Sequence, residues 1–169
     1  MTRRETAAPW RASYSSKWDD PDYCALPVLH KAIYDQIVDL ADAAGSYTIN
    51  PDLIADKHPD VTEHDVKEAV DNLVERQFLL KDGSVVLIRT YFRYTRRLTR
   101  SQQVRQATTA VWKIPKEDLR HTAAKYLLQG VQENARHKQA IGEPLNGSAD
   151  AAKCLDMAKK LEVDTRPRR

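Results

Sequence analysis

The chain has 169 residues, 30% of them charged, and a formal net charge of +3. That length fits one domain, or a small domain with an appendage, and no apolar run approaches the roughly 18 residues of a membrane-spanning helix, so no membrane role is expected. Cys24 and Cys154 are too few and too far apart for a disulfide framework or a zinc site and read as reduced thiols of a cytoplasmic protein; Arg3 and Arg4 are not followed by the apolar core of a secretory signal.

The charge is unevenly placed. Residues 35–75 hold eleven acidic side chains against Lys57 and Lys67, whereas residues 89–113 hold Arg89, Arg93, Arg96, Arg97, Arg100, Arg105 and Lys113 and no acid. An acidic first half beside a basic middle points to a nucleic acid, or another acidic partner, for the basic part.

In chain order, residues 1–17 are small, polar and basic and are expected to form a flexible N-terminal arm. In "WDDPDYCALP" the acids around Pro21 read as a turn and a helix cap rather than a metal site, and Trp18 and Tyr23 as aromatic plugs on the first helix. Pro27 suits the first turn of that helix. Leu29, Ile33, Ile37, Leu40 and Ala44 give it one apolar stripe, which Gly45 ends. Asn50 and Pro51 cap and open a short second helix that Pro59 stops. Thr62 and Asp65 form an approximate capping box for a third helix, with Val66, Ala69, Val70, Leu73 and Val74 as its buried stripe. "FLLKDGSVVLIRTYF" reads as a hairpin turning at Asp82 and Gly83, with a second run, 85–92, that outlasts its partner. Three helices followed by a hairpin predict a mainly α fold with a small β-hairpin, a winged helix-turn-helix over residues 18–94. Residues 95–141 are a basic segment and helical extension: Val104, Ala107, Thr108 and Val111 mark one helix, and Leu119, Ala123, Tyr126, Leu127 and Val131 mark another behind Pro115. Residues 142–147 are a linker. Residues 148–169 are an amphipathic C-terminal helix and basic tail, whose narrow face of Cys154, Leu155, Ala158 and Leu161 either packs back on the domain or meets a partner.

Three stretches together resemble a known family. Trp18, Asp20, Pro21, Asp22, Tyr23 and Leu26 come first. Thr62, Val66, Ala69, Val70, Leu73 and Phe78 follow, and then Arg89, Tyr91, Phe92 and "SQQVRQATTAV". In order and spacing they resemble actinobacterial phage and prophage proteins of the helix-turn-helix, replisome-organiser-like type, over roughly residues 16–130. The resemblance implies a winged-helix fold, a role in phage DNA replication or transcriptional regulation, and a place in the cytoplasm of the bacterial host cell. The chain departs from that pattern in lacking a long C-terminal region, which weighs against a helicase-recruiting role.

The candidate nucleic-acid contacts are Arg89, Arg93, Tyr94, Arg96, Arg97, Arg100 and Arg105. Guanidinium groups fork onto phosphates, and interleaved aromatics stack on unpaired bases, so both double- and single-stranded DNA fit. His64, Lys67, Asn72 and Arg76 would face the groove if the third helix were a recognition helix. Glu63, Glu68, Asp71 and Glu75 on the same helix oppose that reading, because phosphates dominate non-specific affinity. His58, His64 and His121 stand without partners at catalytic or metal-binding spacing, and no nucleophile elbow or phosphate loop is present. No catalytic residue, metal or cofactor is therefore expected. The alternative function is a protein-interaction module that meets a host or phage partner through the acidic third helix or the C-terminal helix; a homodimer through the last helices is a further option.

Overall fold

A computed structural model of the chain describes residues 15–94, 98, 100–140 and 148–167. Most of the expected basic arm, the linker at 142–147 and the last two residues of the tail lie outside the described residues. The described chain is mainly helical with a small antiparallel sheet.

A short 3-10 helix, Ser15–Asp19, leads into α1, Pro21–Cys24. Asp20 caps α1 by accepting from the amides of Asp22 and Tyr23 at 2.9 and 3.4 Å, the role its place before Pro21 suggested. Tyr23 is buried, with its ring edge-on to Trp18 at 5.3 Å and to Tyr34 at 6.0 Å. Its hydroxyl donates to Asp35 at 3.0 Å, and Lys17 donates to both oxygens of the same carboxylate at 2.8 Å. Burial first, and the Asp35 carboxylate second, push the Tyr23 hydroxyl well above its ordinary range, so it remains a neutral donor. This cluster fixes the N-terminal segment to α2, Val28–Leu40.

α2 ends at Leu40, not at Gly45 as the apolar stripe suggested. The Asp42 carboxylate accepts from the amides of Ala44 at 2.8 Å and Ser46 at 3.0 Å. This local turn replaces a further helical one. Leu40 is therefore half exposed, while Ala41 and Ala44 are buried. Gly45 has φ +76°, and a Cβ there would stand 2.5 Å from Cγ of Tyr91; it carries the chain into β1, Ser46–Thr48, a strand too short to show in the periodicity.

α3, Pro51–Ala55, and α4, Glu63–Glu75, begin at the expected caps. At α4 the Thr62 amide donates to Asp65 at 2.7 Å and the Asp65 amide to the Thr62 hydroxyl at 3.2 Å, a complete capping box. Val66, Ala69, Val70 and Leu73 are buried.

β2, Leu79–Asp82, and β3, Val85–Ile88, form the hairpin, one residue out of the expected register. Gly83 and Ser84 make the loop, and only Gly83 has positive φ (+62°), as at the first loop position of a type II′ turn. The sheet order is β1-β3-β2 with both pairings antiparallel. The central strand does not continue to Phe92. β1 pairs as far as Leu87 and β2 as far as Ile88; one further bond, from the Arg89 amide to the Phe78 carbonyl at 3.2 Å, ends the ladder before the chain turns into α5, Tyr91–Tyr94.

β3 is buried on both faces. Val86 and Ile88 join one apolar cluster with α2, α3 and α4. Val85 and Leu87 join a second with α6, Ser101–Lys113, α7, Glu117–Ala140, and α8, Ser148–Asp164. Cys154, Ala158 and Leu161 of α8 are buried in that second cluster, so the last helix packs back on the chain. Gly130 in α7 makes room for α5: a Cβ there would lie 2.7 Å from Cβ of Phe92. Among the described residues no helix is long and apolar enough to cross a membrane.

The end of α8 is clasped to the start of α7. His121 Nδ1 lies 3.3 Å from the Thr165 hydroxyl, and Glu162 accepts from Arg166 at 3.1 and 3.3 Å. The hydrogen bonds from Arg166 and its charge hold the Glu162 carboxyl below its usual range. A carboxyl with a lowered folded-state pKa stabilises the fold above the ordinary carboxylate pKa, and that contribution is lost as the pH falls through the folded value. Urea midpoints measured from neutral pH downwards are therefore expected to separate wild type from Glu162→Gln at neutral pH and to converge only once the pH has fallen below the ordinary carboxylate range.

Candidate nucleic-acid interface

The acid-free stretch seen in the sequence becomes a surface through α6. Val104, Ala107, Ala110 and Val111 face the core. At 3.6 residues per turn, Gln102, Arg105, Gln106, Thr109, Trp112 and Lys113 then share roughly a 120° arc on the opposite side, and all six are exposed. Arg100, also exposed, stands at the N-cap. The nearest acids in sequence beyond the helix are Glu117 and Asp118, in the first turn of α7.

The other candidates fall differently. Arg89 is half buried. It donates from Nε to the Tyr126 hydroxyl at 3.2 Å and from Nη1 to Gln77, at 3.2 Å to the carbonyl and 2.5 Å to the side-chain oxygen. It thus ties the end of the sheet to α7 rather than standing clear for a ligand. Arg93 and Tyr94 lie on α5, but their side chains, and Arg96 and Arg97 altogether, lie outside the described residues. Arg100, at the N-cap, and Arg105, on the first turns of α6, are both exposed, but on different sides of the helix axis.

On α4, Lys67 pairs with Glu63 one turn earlier. Asn72 turns inward, its Oδ1 3.1 Å from Nδ1 of His30 on α2. His64 and Arg76 are exposed, at opposite ends of the helix. Between them Glu68 and Glu75 are exposed, and Asp71 accepts from Lys81 of β2 at 2.6 Å. The four candidates therefore do not form one basic reading head.

A cleft of about 390 Å³ opens between α1, the end of the sheet and α7. Arg76 and Arg89 line it, but so do Asp20, Asp22 and Glu133. With three carboxylates facing two guanidinium groups it does not select an anion.

Sequence reasoning counted Lys113 in the basic stretch without naming it as a contact, and missed Trp112 and Arg120. Arg120 donates from Nε to the Ile114 carbonyl at 2.9 Å, filling an open acceptor just past the end of α6, and its guanidinium lies 5.8 Å from the centre of the Trp112 ring. Projecting "SQQVRQATTAVWK" around a helix would have placed Trp112 and Lys113 on the Arg105 face. The Arg120 contact joins two helices and leaves no mark in the pattern. No family model, curated protein or solved structure matches this chain.

Proposed function

We propose that the protein binds DNA through the exposed face of α6 and the arginine-rich segment that precedes it, on a winged-helix scaffold of phage type serving replication initiation or transcriptional control. One observation carries this: a whole helix face, from Gln102 to Lys113, is exposed and holds basic, amide, hydroxyl and aromatic groups without a single carboxylate. Such a face neutralises phosphates without desolvating an opposing charge.

The scaffold reading is supported by the element order. A helix, a strand, two helices and a hairpin follow one another, and the lone strand pairs with the second hairpin strand. The hairpin itself offers little unpaired positive charge. Lys81 holds Asp71 at 2.6 Å, Asp82 holds Lys116 at 3.2 Å, and the central strand is covered on both faces. Contact therefore moves from the hairpin to α6.

The test is fluorescence anisotropy of labelled duplex and single-stranded DNA across a range of salt concentrations. Four to six phosphate contacts give a log–log slope of about −3 to −5. A flat salt response, or no binding to either form at low salt, contradicts the proposal. The second reading, a protein-docking module, is favoured by the acidic exposed face of α4 and by Leu53, 56% exposed on the neighbouring α3. On that reading Glu68→Lys with Asp71→Lys abolishes the biological activity, and charge reversal on α6 leaves it intact.

A further inference from the structure

Trp112 is 46% exposed although large aromatic side chains favour burial, and it is placed by its neighbours rather than left loose. Ala110 and Val111 before it and Ile114 after it are buried, which fixes the backbone at the end of α6. Arg120 approaches the ring from α7, itself held at Nε by the Ile114 carbonyl at 2.9 Å. A cation over an indole that keeps nearly half its surface in water leaves the ring available to a second flat group. Along the same arc lie Lys113, Thr109 and Arg105.

Building on the DNA-binding proposal above, we infer that α6 is a single-strand platform, in which the Trp112 ring stacks an unpaired base and Arg105, Lys113 and Arg120 hold the flanking phosphates. Duplex DNA has its bases already stacked and offers this ring no flat face. An unpaired strand offers one at every nucleotide. From Gln102 to Lys113 the helix advances about 16 Å at 1.5 Å per residue. That is the length of roughly five steps of a stacked strand at 3.4 Å each. The footprint is correspondingly short, about five nucleotides.

The test uses the full chain with Trp10→Phe and Trp18→Phe, so that Trp112 is the only indole, and follows its emission on adding a fifteen-residue oligothymidylate, a duplex of the same length and an oligouridylate. The expected result is strong quenching by oligothymidylate and weak quenching by the duplex. In the otherwise wild-type chain, Trp112→Ala is expected to weaken single-strand affinity about tenfold or more while duplex affinity changes less than twofold, with Trp112→Phe restoring most of the loss. Circular dichroism of Trp112→Ala is expected to be unchanged, because the ring is not part of the core. Equal affinities of wild type and Trp112→Ala for oligothymidylate, with charge reversal on α6 still reducing binding, overturn the platform and leave DNA binding standing. Tighter binding of oligouridylate than oligothymidylate overturns DNA as the occupant. Absence of binding to every oligonucleotide overturns both the platform and the DNA-binding proposal on which it rests.

Discussion

Reversing two charges on α6, Arg105→Glu with Lys113→Glu, is expected to lower DNA affinity on the order of 100-fold at low salt. A charge-assisted hydrogen bond contributes about 1.5 kcal/mol, so two such bonds account for roughly 3 kcal/mol. The salt slope is expected to fall by about 2, one unit for each phosphate contact removed. Both residues are exposed and neither lies in either apolar cluster, so the melting temperature is expected to stay within about 2 °C of wild type. Circular dichroism and anisotropy on one preparation read both quantities. Loss of binding with an unchanged salt slope would mean that the variant acts through the fold and not through phosphate contacts. The corresponding change on α4, Lys67→Glu with Arg76→Glu, is expected to matter little, because Lys67 is already neutralised by Glu63 and phosphate is kept away by the acids around it.

Leu87→Ala is expected to have the largest effect on stability, about 3 kcal/mol, with a fall in melting temperature of roughly 6–12 °C. Leu87 lies on the central strand, fully buried, in the cluster formed with α6, α7 and α8. Its neighbours Val86 and Ile88 point to the other side, into the cluster formed with α2, α3 and α4. A strand shared by two cores couples them. The loss is therefore expected to appear in one cooperative urea transition, the same by far-ultraviolet circular dichroism and by tryptophan emission. Two separated transitions, with only the later one moved by Leu87→Ala, would mean that the helical extension folds apart from the first half of the chain.

The distribution of effects also explains which parts of the structure could be read from the sequence. Local chemistry was legible. Asn50, and Thr62 with Asp65, announce helix starts because each satisfies amides within three residues of itself, and Asp20 reads as a cap for the same reason although the short helix it opens, α1, does not show. The stripes of α4 and α6 were legible for the same reason, since a helix repeats its buried face within one turn. Features set by distant partners were not. The end of α2 depends on Asp42 reaching forward to Ser46, and β1 is three residues long and exists because β3 passes beside it. The strand expected over 85–92 stops at Ile88 because its neighbours stop. Arg89 looked like a ligand contact in a basic run, and only folding brings Gln77 and Tyr126 to it. Arg100 and Arg105 needed no such partner to be exposed. Trp112 needed Arg120 from the next helix to become a defined surface.

The most direct measurement of the central claim is a map of amide and indole chemical-shift changes in uniformly labelled protein as single-stranded and duplex DNA are added. The expected result is a set of shifts concentrated from Arg100 to Lys113, including the Trp112 indole with the single strand, and little change along Glu63–Glu75. Shifts confined to α4, or none at concentrations that saturate anisotropy, would contradict the assignment of DNA binding to α6.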